Sequence, residues 1–134
     1  MSTFLLEIVT PERKVYSKDV QMIIVKGSEG ELGILPQHIP LITPLRIAPI
    51  TIKSNVNQKD FIVINGGFME VRKDKVVILA ESAELAEDID IDRAKSAKER
   101  AEQRISDKKN QFDLIRAEQS LQRALARIEV YAKK

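Results

Sequence analysis

Cysteine is absent from these 134 residues, and histidine occurs once, at His38. Neither a disulfide framework nor a cysteine zinc site can form, and most histidine-based metal or general-base chemistry goes with them. No apolar run nears the roughly 20 residues that span a bilayer. No signal peptide opens the chain, so the sequence reads as cytosolic and soluble. A net charge of +2 is too small to imply a nucleic-acid partner by itself. Proline and glycine are also missing from the second half. Pro11, Pro36, Pro40, Pro44 and Pro49, with all five glycines, lie at or before Gly67. The two residues most hostile to a helix interior are therefore absent beyond that point.

That shift divides the chain near Glu84 to Asp88, giving expected domains of 1–86 and 87–134. In the first, β-branched residues alternate or cluster between turn signals. FLLEIVT from Phe4, QMIIVKG from Gln21 and ELGIL from Glu31 read as strands, as do RIAPITIKS, DFIVING, FMEVRKD and KVVILAE. The intervening loop of the middle pair is placed at Val56 to Lys59, and Gly66-Gly67 reads as tight punctuation before FMEVRKD. Strands this short, at these spacings, predict a small antiparallel sandwich or barrel.

The second part has helical spacing. Ala94, Ala97, Ala101 and Ile105 step by three and four and share one face. Ser106 to Asn110 reads as a polar turn. Leu114, Ala117, Leu121, Ala124, Ile128 and Tyr131 then form a narrow heptad-like stripe. The fold class is thus α+β: a β-sandwich or barrel followed by an antiparallel hairpin of two helices. An alanine face permits close approach but buries little apolar surface, so the docked hairpin should be marginal while each helix has high intrinsic propensity. Such an element suits a switch; a permanently docked hairpin held by the β domain is the equal alternative.

The stretch EDIDIDRAKSAKERA from Glu87 opens the first helix with Glu87, Asp88, Asp90 and Asp92. Asp88 or Asp90 is a natural N-cap, and Asp92 in the first turn complements the helix dipole. Gly27, Gly30 and Gly33 lack the lysine and strand–loop–helix context of a P-loop and read as turn chemistry. His38 lies in a proline-bounded loop with no nucleophile or acid at suggestive spacing. An enzyme using Asp88 and Asp90 as paired carboxylates would need a nucleophile, metal cluster or oxyanion device that the sequence does not offer. A nucleic-acid adaptor using the basic last helix is opposed by the near-neutral charge. No catalytic or metal-ligating residue is assigned.

The order of the two parts, with GELGILPQHIPLITPL from Gly30, INGGFMEV from Ile64 and RAEQSLQRALARI from Arg116, resembles the epsilon subunit of bacterial F-type ATP synthases. The resemblance spans essentially the whole chain. It implies a non-catalytic rotor subunit of the central stalk, on the cytoplasmic side of the bacterial cell membrane and attached only through the complex. The β domain would hold the gamma subunit and rest on the c-ring, with Glu29, Glu31 and His38 as partner contacts. The hairpin would fold beside the β domain in a compact state. Extended, it would reach along gamma to the alpha and beta catalytic subunits and inhibit ATP hydrolysis.

Bacillus-type members of that family bind ATP through the motif I/L-D-x-x-R-A, which Ile89, Asp90, Arg93 and Ala94 match. The resemblance adds Glu84 upstream, Arg100 later in the first helix, and Arg123 and Arg127 in the second. ATP would then be a regulatory ligand, with or without magnesium. The chemistry is coherent. Arg93 and Arg100 share a helix face, as do Arg123 and Arg127, and guanidinium groups bind phosphate oxygens bidentately. Glu84 and Asp90 would accept hydrogen bonds from an adenine amino group or ribose hydroxyl, or orient the arginines. The alternatives are the same rotor subunit with a hairpin that binds no ATP, and a non-enzymatic interaction adaptor.

Overall fold

A computed structural model describes residues 2–107 and 111–134. Eight strands come first: β1 (Phe4–Val9), β2 (Lys14–Val20), β3 (Met22–Gly27), β4 (Gly30–Ile34), β5 (Leu41–Asn55), β6 (Gln58–Val71), β7 (Lys75–Ala80) and β8 (Ala83–Leu85). A 3₁₀ turn at Ala86–Asp88 leads to helices α1 (Ile91–Asp107) and α2 (Gln111–Ala132). The sheet runs β2-β1-β7-β6-β5-β3-β4, and β8 pairs with β6 beside β7. The expected class of a β-sheet domain followed by two helices is what forms.

One hydrophobic core takes residues from every strand from β1 to β7, including Leu6, Tyr16, Ile23, Ile34, Ile52, Ile62 and Ile78. The sheet therefore coils around its own apolar face, which hides that face without a second domain. Pairing is antiparallel except between β1 and β7, which run parallel from Leu5–Lys75 to Val9–Leu79.

Several strand boundaries differ from those read in the sequence. β5 and β6 are 15 and 14 residues long and form one hairpin, closed by a turn at Val56-Asn57. Gly66 and Gly67 lie inside β6 rather than between strands. Both have positive φ, and a Cβ on Gly67 would stand 2.1 Å from the Leu79 carbonyl oxygen. The glycines let β6 cross β7 closely without ending it. Prolines are tolerated in β5 because its ladder with β3 breaks between Thr51 and Leu45, where Pro49 falls, and Pro44 lies beyond the last pair. Strands β2 and β8 had no reading: β2 buries only Tyr16 and Val20, and β8 has three residues.

The helices pack antiparallel: Arg93 and Ala94 share a cleft with Arg127, and Arg104 and Asp107 share one with Asp113 and Arg116. Ser106 and Asp107, read as turn, finish α1; the remainder of that turn, 108–110, lies outside the described residues. Ala94, Ala101, Ala117 and Ala124 are at most 2% exposed and form the seam between the helices. Leu114, Leu121, Ile128 and Tyr131, the large members of the expected stripe, are only half-buried. A second seam runs beside the first. Ala126 and Val130 of α2 pack on Val63 of β6 and on Ile89, flanked by Phe61, Ala86 and Tyr131. The Lys133 ammonium adds a contact 4.8 Å from the Phe61 ring centre. The hairpin is docked, and α2 is the helix that holds it to the sheet.

Candidate functional site

The joint between the halves begins with Asp90. Its Oδ1 accepts the Arg93 N–H at 3.1 Å, and its carbonyl accepts the Ala94 N–H at 3.0 Å, so of the two candidate caps Asp90 is the one used. Asp88 instead ends the 3₁₀ turn, where the Ile89 N–H reaches the Ala86 carbonyl at 3.3 Å. Ile89 is buried in the seam with Val63, Ala126 and Val130. The alternation of aspartate and isoleucine thus plugs one side chain into the joint and turns its neighbours outward.

Glu84 occupies the middle of β8, opposite Val63. Arg127 lies 43 residues later, one turn before Tyr131 on α2. Its Nε donates to Glu84 Oε2 at 2.7 Å and its Nη2 to Oε1 at 2.8 Å, a two-pronged ion pair with both side chains roughly a quarter to a third exposed. This pair ties α2 to the last strand. Above it opens a cleft of about 210 Å³ lined by Glu84, Asp88, Ile89, Asp90, Arg93, Ala94 and Arg127. Six of the eight residues expected to hold ATP therefore share one cleft wall. Asp88, weighed in the sequence as a cap and as one of a carboxylate pair but not as an ATP contact, is the seventh lining residue. Its position immediately before the Ile-Asp pair is the one signal that could have found it.

Arg100 and Arg123 are not among the residues lining this cleft. Arg100 is exposed two turns along α1 from Arg93, and Arg123 lies one turn from Arg127 toward the hairpin tip. Arg123 lines a larger cleft between the hairpin and β5–β6. Three carboxylates and two guanidinium groups line the small cleft, with Arg127 already paired to Glu84. Guanidinium groups suit an anion, and carboxylates suit hydrogen-bond donors. Among the described residues, no group of three or more His, Asp or Glu is placed to hold a metal ion.

The expected partner contacts lie on β4 and in the connections that flank it. Glu29 sits in the exposed turn between β3 and β4. Glu31 belongs to β4, opposite Lys26, rather than to the turn. His38 lies in the β4–β5 connection, where its Nδ1 is 2.7 Å from the Ile39 carbonyl oxygen. No helix of the described residues is long and apolar enough to cross a membrane.

A coiled β domain carrying a docked helical hairpin, with a charged cleft at the joint, defines a two-part protein of β domain and helical hairpin. The chain belongs to the ATP synthase delta/epsilon family: the model of its beta-sandwich domain matches residues 3–86, and that of its long alpha-helix domain matches 87–132. The ATP synthase epsilon chain of Brevibacillus brevis is 54% identical over 130 residues, covering 97% of this chain and 98% of that one. That of Halalkalibacterium halodurans is 52% identical over 131 residues, at 97% and 98% coverage. A chain in the structure of the Euglena gracilis mitochondrial ATP synthase, OSCP/F1/c-ring, superposes with a TM-score of 0.85 at 24% identity, over 98% of this chain and 82% of that one. This last likeness concerns the fold. Family membership makes the chain a non-catalytic central-stalk subunit of the F-type ATP synthase.

Proposed function

We propose that this subunit senses ATP through the cleft at the joint and, in doing so, regulates ATP hydrolysis by its complex. The supporting observation is that Glu84 from the β domain, Asp90, Arg93 and Ala94 from the start of α1, and Arg127 from α2 line one cleft. A ligand there touches three elements that meet only when the hairpin is docked. The triphosphate meets Arg93 and Arg127 and continues along the groove between the helices toward Arg100 and Arg123, on the same helix faces as Arg93 and Arg127. The base and ribose face Glu84, Asp88 and Asp90, which accept from amino and hydroxyl groups.

Among the described residues the hairpin is held to the sheet by one narrow apolar seam, the Lys133–Phe61 contact and one ion pair, so a modest ligand free energy shifts it. At a hundred times the dissociation constant, a ligand that binds only the docked state adds about 2.7 kcal/mol. ATP therefore holds the hairpin down. At low ATP the hairpin is released to extend along gamma to the alpha and beta subunits, where it opposes hydrolysis. The β domain remains on gamma and the c-ring throughout, with Glu29, Glu31 and His38 as contacts there, and gives the chain its peripheral place on the cytoplasmic side of the membrane.

Calorimetric titration of the full chain with ATP, with and without magnesium, tests the reading. Saturable one-to-one binding that Arg127→Ala weakens at least tenfold is expected. Equal heats for the two proteins would sink it.

A further inference from the structure

We infer that the cleft where the end of α2 meets β2, β6 and the 3₁₀ turn is a second small-molecule site. Its ligand is a free amphiphilic anion, with one acidic group on an apolar body. The space is about 470 Å³, within the range of pockets that enclose a small organic ligand. Its floor is apolar and comes from both halves. Val15 and Leu85 pack on the outside of the β-domain core, while Phe61 and Ala86 flank the cluster that α2 forms on the sheet. All four line the cleft and are only half-buried, so apolar surface of two clusters meets there uncovered. Val130 of α2 joins them.

The rim is basic. Lys18, Lys59, Lys133 and Lys134 line the cleft against Asp60 and Glu87, an excess of two positive charges. That equals the formal net charge of the whole chain, +2, which is otherwise balanced. A carboxylate ending the chain at Lys134 would still leave the cleft positive. Among the described residues, none of the four ammonium groups lies within 4.0 Å of a carboxylate. Elsewhere the β domain does pair its lysines, since Lys14 and Lys75 both reach Glu7. Asp60 instead faces the hydroxyls of Tyr16 and Ser54, at 3.4 and 3.5 Å. The Lys133 ammonium lies 4.8 Å from the Phe61 ring centre and that of Lys18 5.6 Å from the Tyr16 ring centre, so two of the four stand over aromatic rings of the cleft. Lys53 lies directly across the β5–β6 ladder from Lys59, a destabilising pairing of like charges that an anion would relieve.

Unpaired ammonium groups around an uncovered apolar floor select a ligand of matching make, acidic at the rim and apolar below. A bare anion would leave the floor in water, and a neutral apolar molecule would leave the lysines without a partner. Val130, Lys133 and Lys134 belong to the hairpin, so an occupant stabilises the docked state by linkage. The cleft shares no lining residue with the one proposed for ATP, and the assignment does not rest on that reading.

2-Naphthoate and 2-naphthamide test the assignment, because they share a ring system and differ in charge. The chain has no tryptophan to obscure their fluorescence. Naphthoate is expected to bind the full chain saturably and about tenfold more tightly than the amide, the difference between charged and neutral hydrogen bonds. It should also raise hydrogen-exchange protection in the last turns of α2, and neither inorganic phosphate at equal concentration nor ATP should displace it. Lys18→Gln with Lys59→Gln, both exposed on the β domain, cancels the excess charge and should abolish the preference between the probes. Lys73→Gln with Lys95→Gln removes the same charge away from the cleft and should retain that preference. Equal affinity of the two probes for the unsubstituted chain, no saturable binding, displacement by phosphate or ATP, or an equal loss in both double variants overturns the proposal. Saturation without a change in α2 protection would place the probe elsewhere and overturn it as well.

Discussion

Arg127 of α2 grips Glu84 of β8 through two parallel hydrogen bonds of 2.7 and 2.8 Å, joining the helical hairpin to the last strand of the β domain. The two residues belong to different halves, so their pairing reports whether the hairpin is docked. The same pair floors the cleft proposed for ATP. Docking and binding therefore draw on one contact. Arg127→Ala should loosen the docked state by about 1–3 kcal/mol, the range for hydrogen bonds to charged groups and for a carboxylate left without its partner. Faster hydrogen exchange along α1 and α2, with the β domain unchanged, is the expected result. Unaltered exchange would mean that the seams alone hold the hairpin.

The alanine seam gives an independent handle on the same equilibrium. Ala101 and Ala117 are 1% and 0% exposed, which leaves no room for a longer side chain between the helices. Ala101→Leu should lower intrinsic helix formation only slightly but cost about 1–3 kcal/mol in overpacking. Far-ultraviolet circular dichroism should retain the helical signal while α1 amides lose protection. Retained protection would show that the seam can open without separating the helices.

Much of this architecture was legible in the residues, and the exceptions share a cause. The alanines at 94, 101, 117 and 124 announced the inter-helix seam because their spacing is local and their size is decisive. The second seam was hidden. Ala126 and Val130 fall beside the stripe rather than on it, and only the sheet beneath them explains their burial. Gly66 and Gly67 looked like punctuation because sequence shows a glycine's freedom but not what crosses it; here the crossing strand is β7. β2 escaped notice because an edge strand with two buried residues carries no full alternation. At the candidate site, the Asp90 cap was local and readable. The Glu84–Arg127 pair spans 43 residues and entered only through resemblance to a family.

Gly67 also supplies a prediction for the β domain. With φ at +132° and backbone atoms of Leu79 and Ala80 within 3.0 Å of a would-be Cβ, no side chain fits without moving β7. Gly67→Ala should destabilise the domain by about 2–4 kcal/mol through strain and displacement together. Urea unfolding monitored by β-sheet circular dichroism measures this. A loss below about 0.5 kcal/mol, the range of an ordinary surface change, would contradict the close crossing.

Acid should act through Glu7. This carboxylate is paired with Lys14 and Lys75, whose side chains shield it on the outer face of β1. The hydrogen bonds from Lys14 and then Lys75 lower its pKa from 4.5 to about 2, against a smaller opposing effect of burial. The folded state therefore binds the proton less readily than the unfolded one. Its stabilising contribution is complete above pH about 4.5 and disappears as pH falls toward about 2. Glu7→Gln should lower stability at pH 7 and flatten its decline over that interval. Parallel acid-unfolding curves for the two proteins would show that the lysines do not discriminate between charged and neutral forms.

Removing the residues after Glu87 tests the division of labour between the halves. The core of the β domain takes its residues from β1 to β7, all before that point, so the shortened chain loses none of that core. It does lose Ile89, Ala126 and Val130, exposing Val63 and Phe61 on the face that α2 covers. The fragment should fold, with an added apolar patch and reduced solubility as the expected side effect. Incorporated into the complex, it should still assemble with gamma and the c-ring while hydrolysis loses both its inhibition and its sensitivity to ATP concentration. Two outcomes would count against the assignment in different ways. A folded fragment that no longer joined the complex would place the docking surface on the hairpin. A complex that assembled but stayed inhibited would place the inhibitory contact on the β domain.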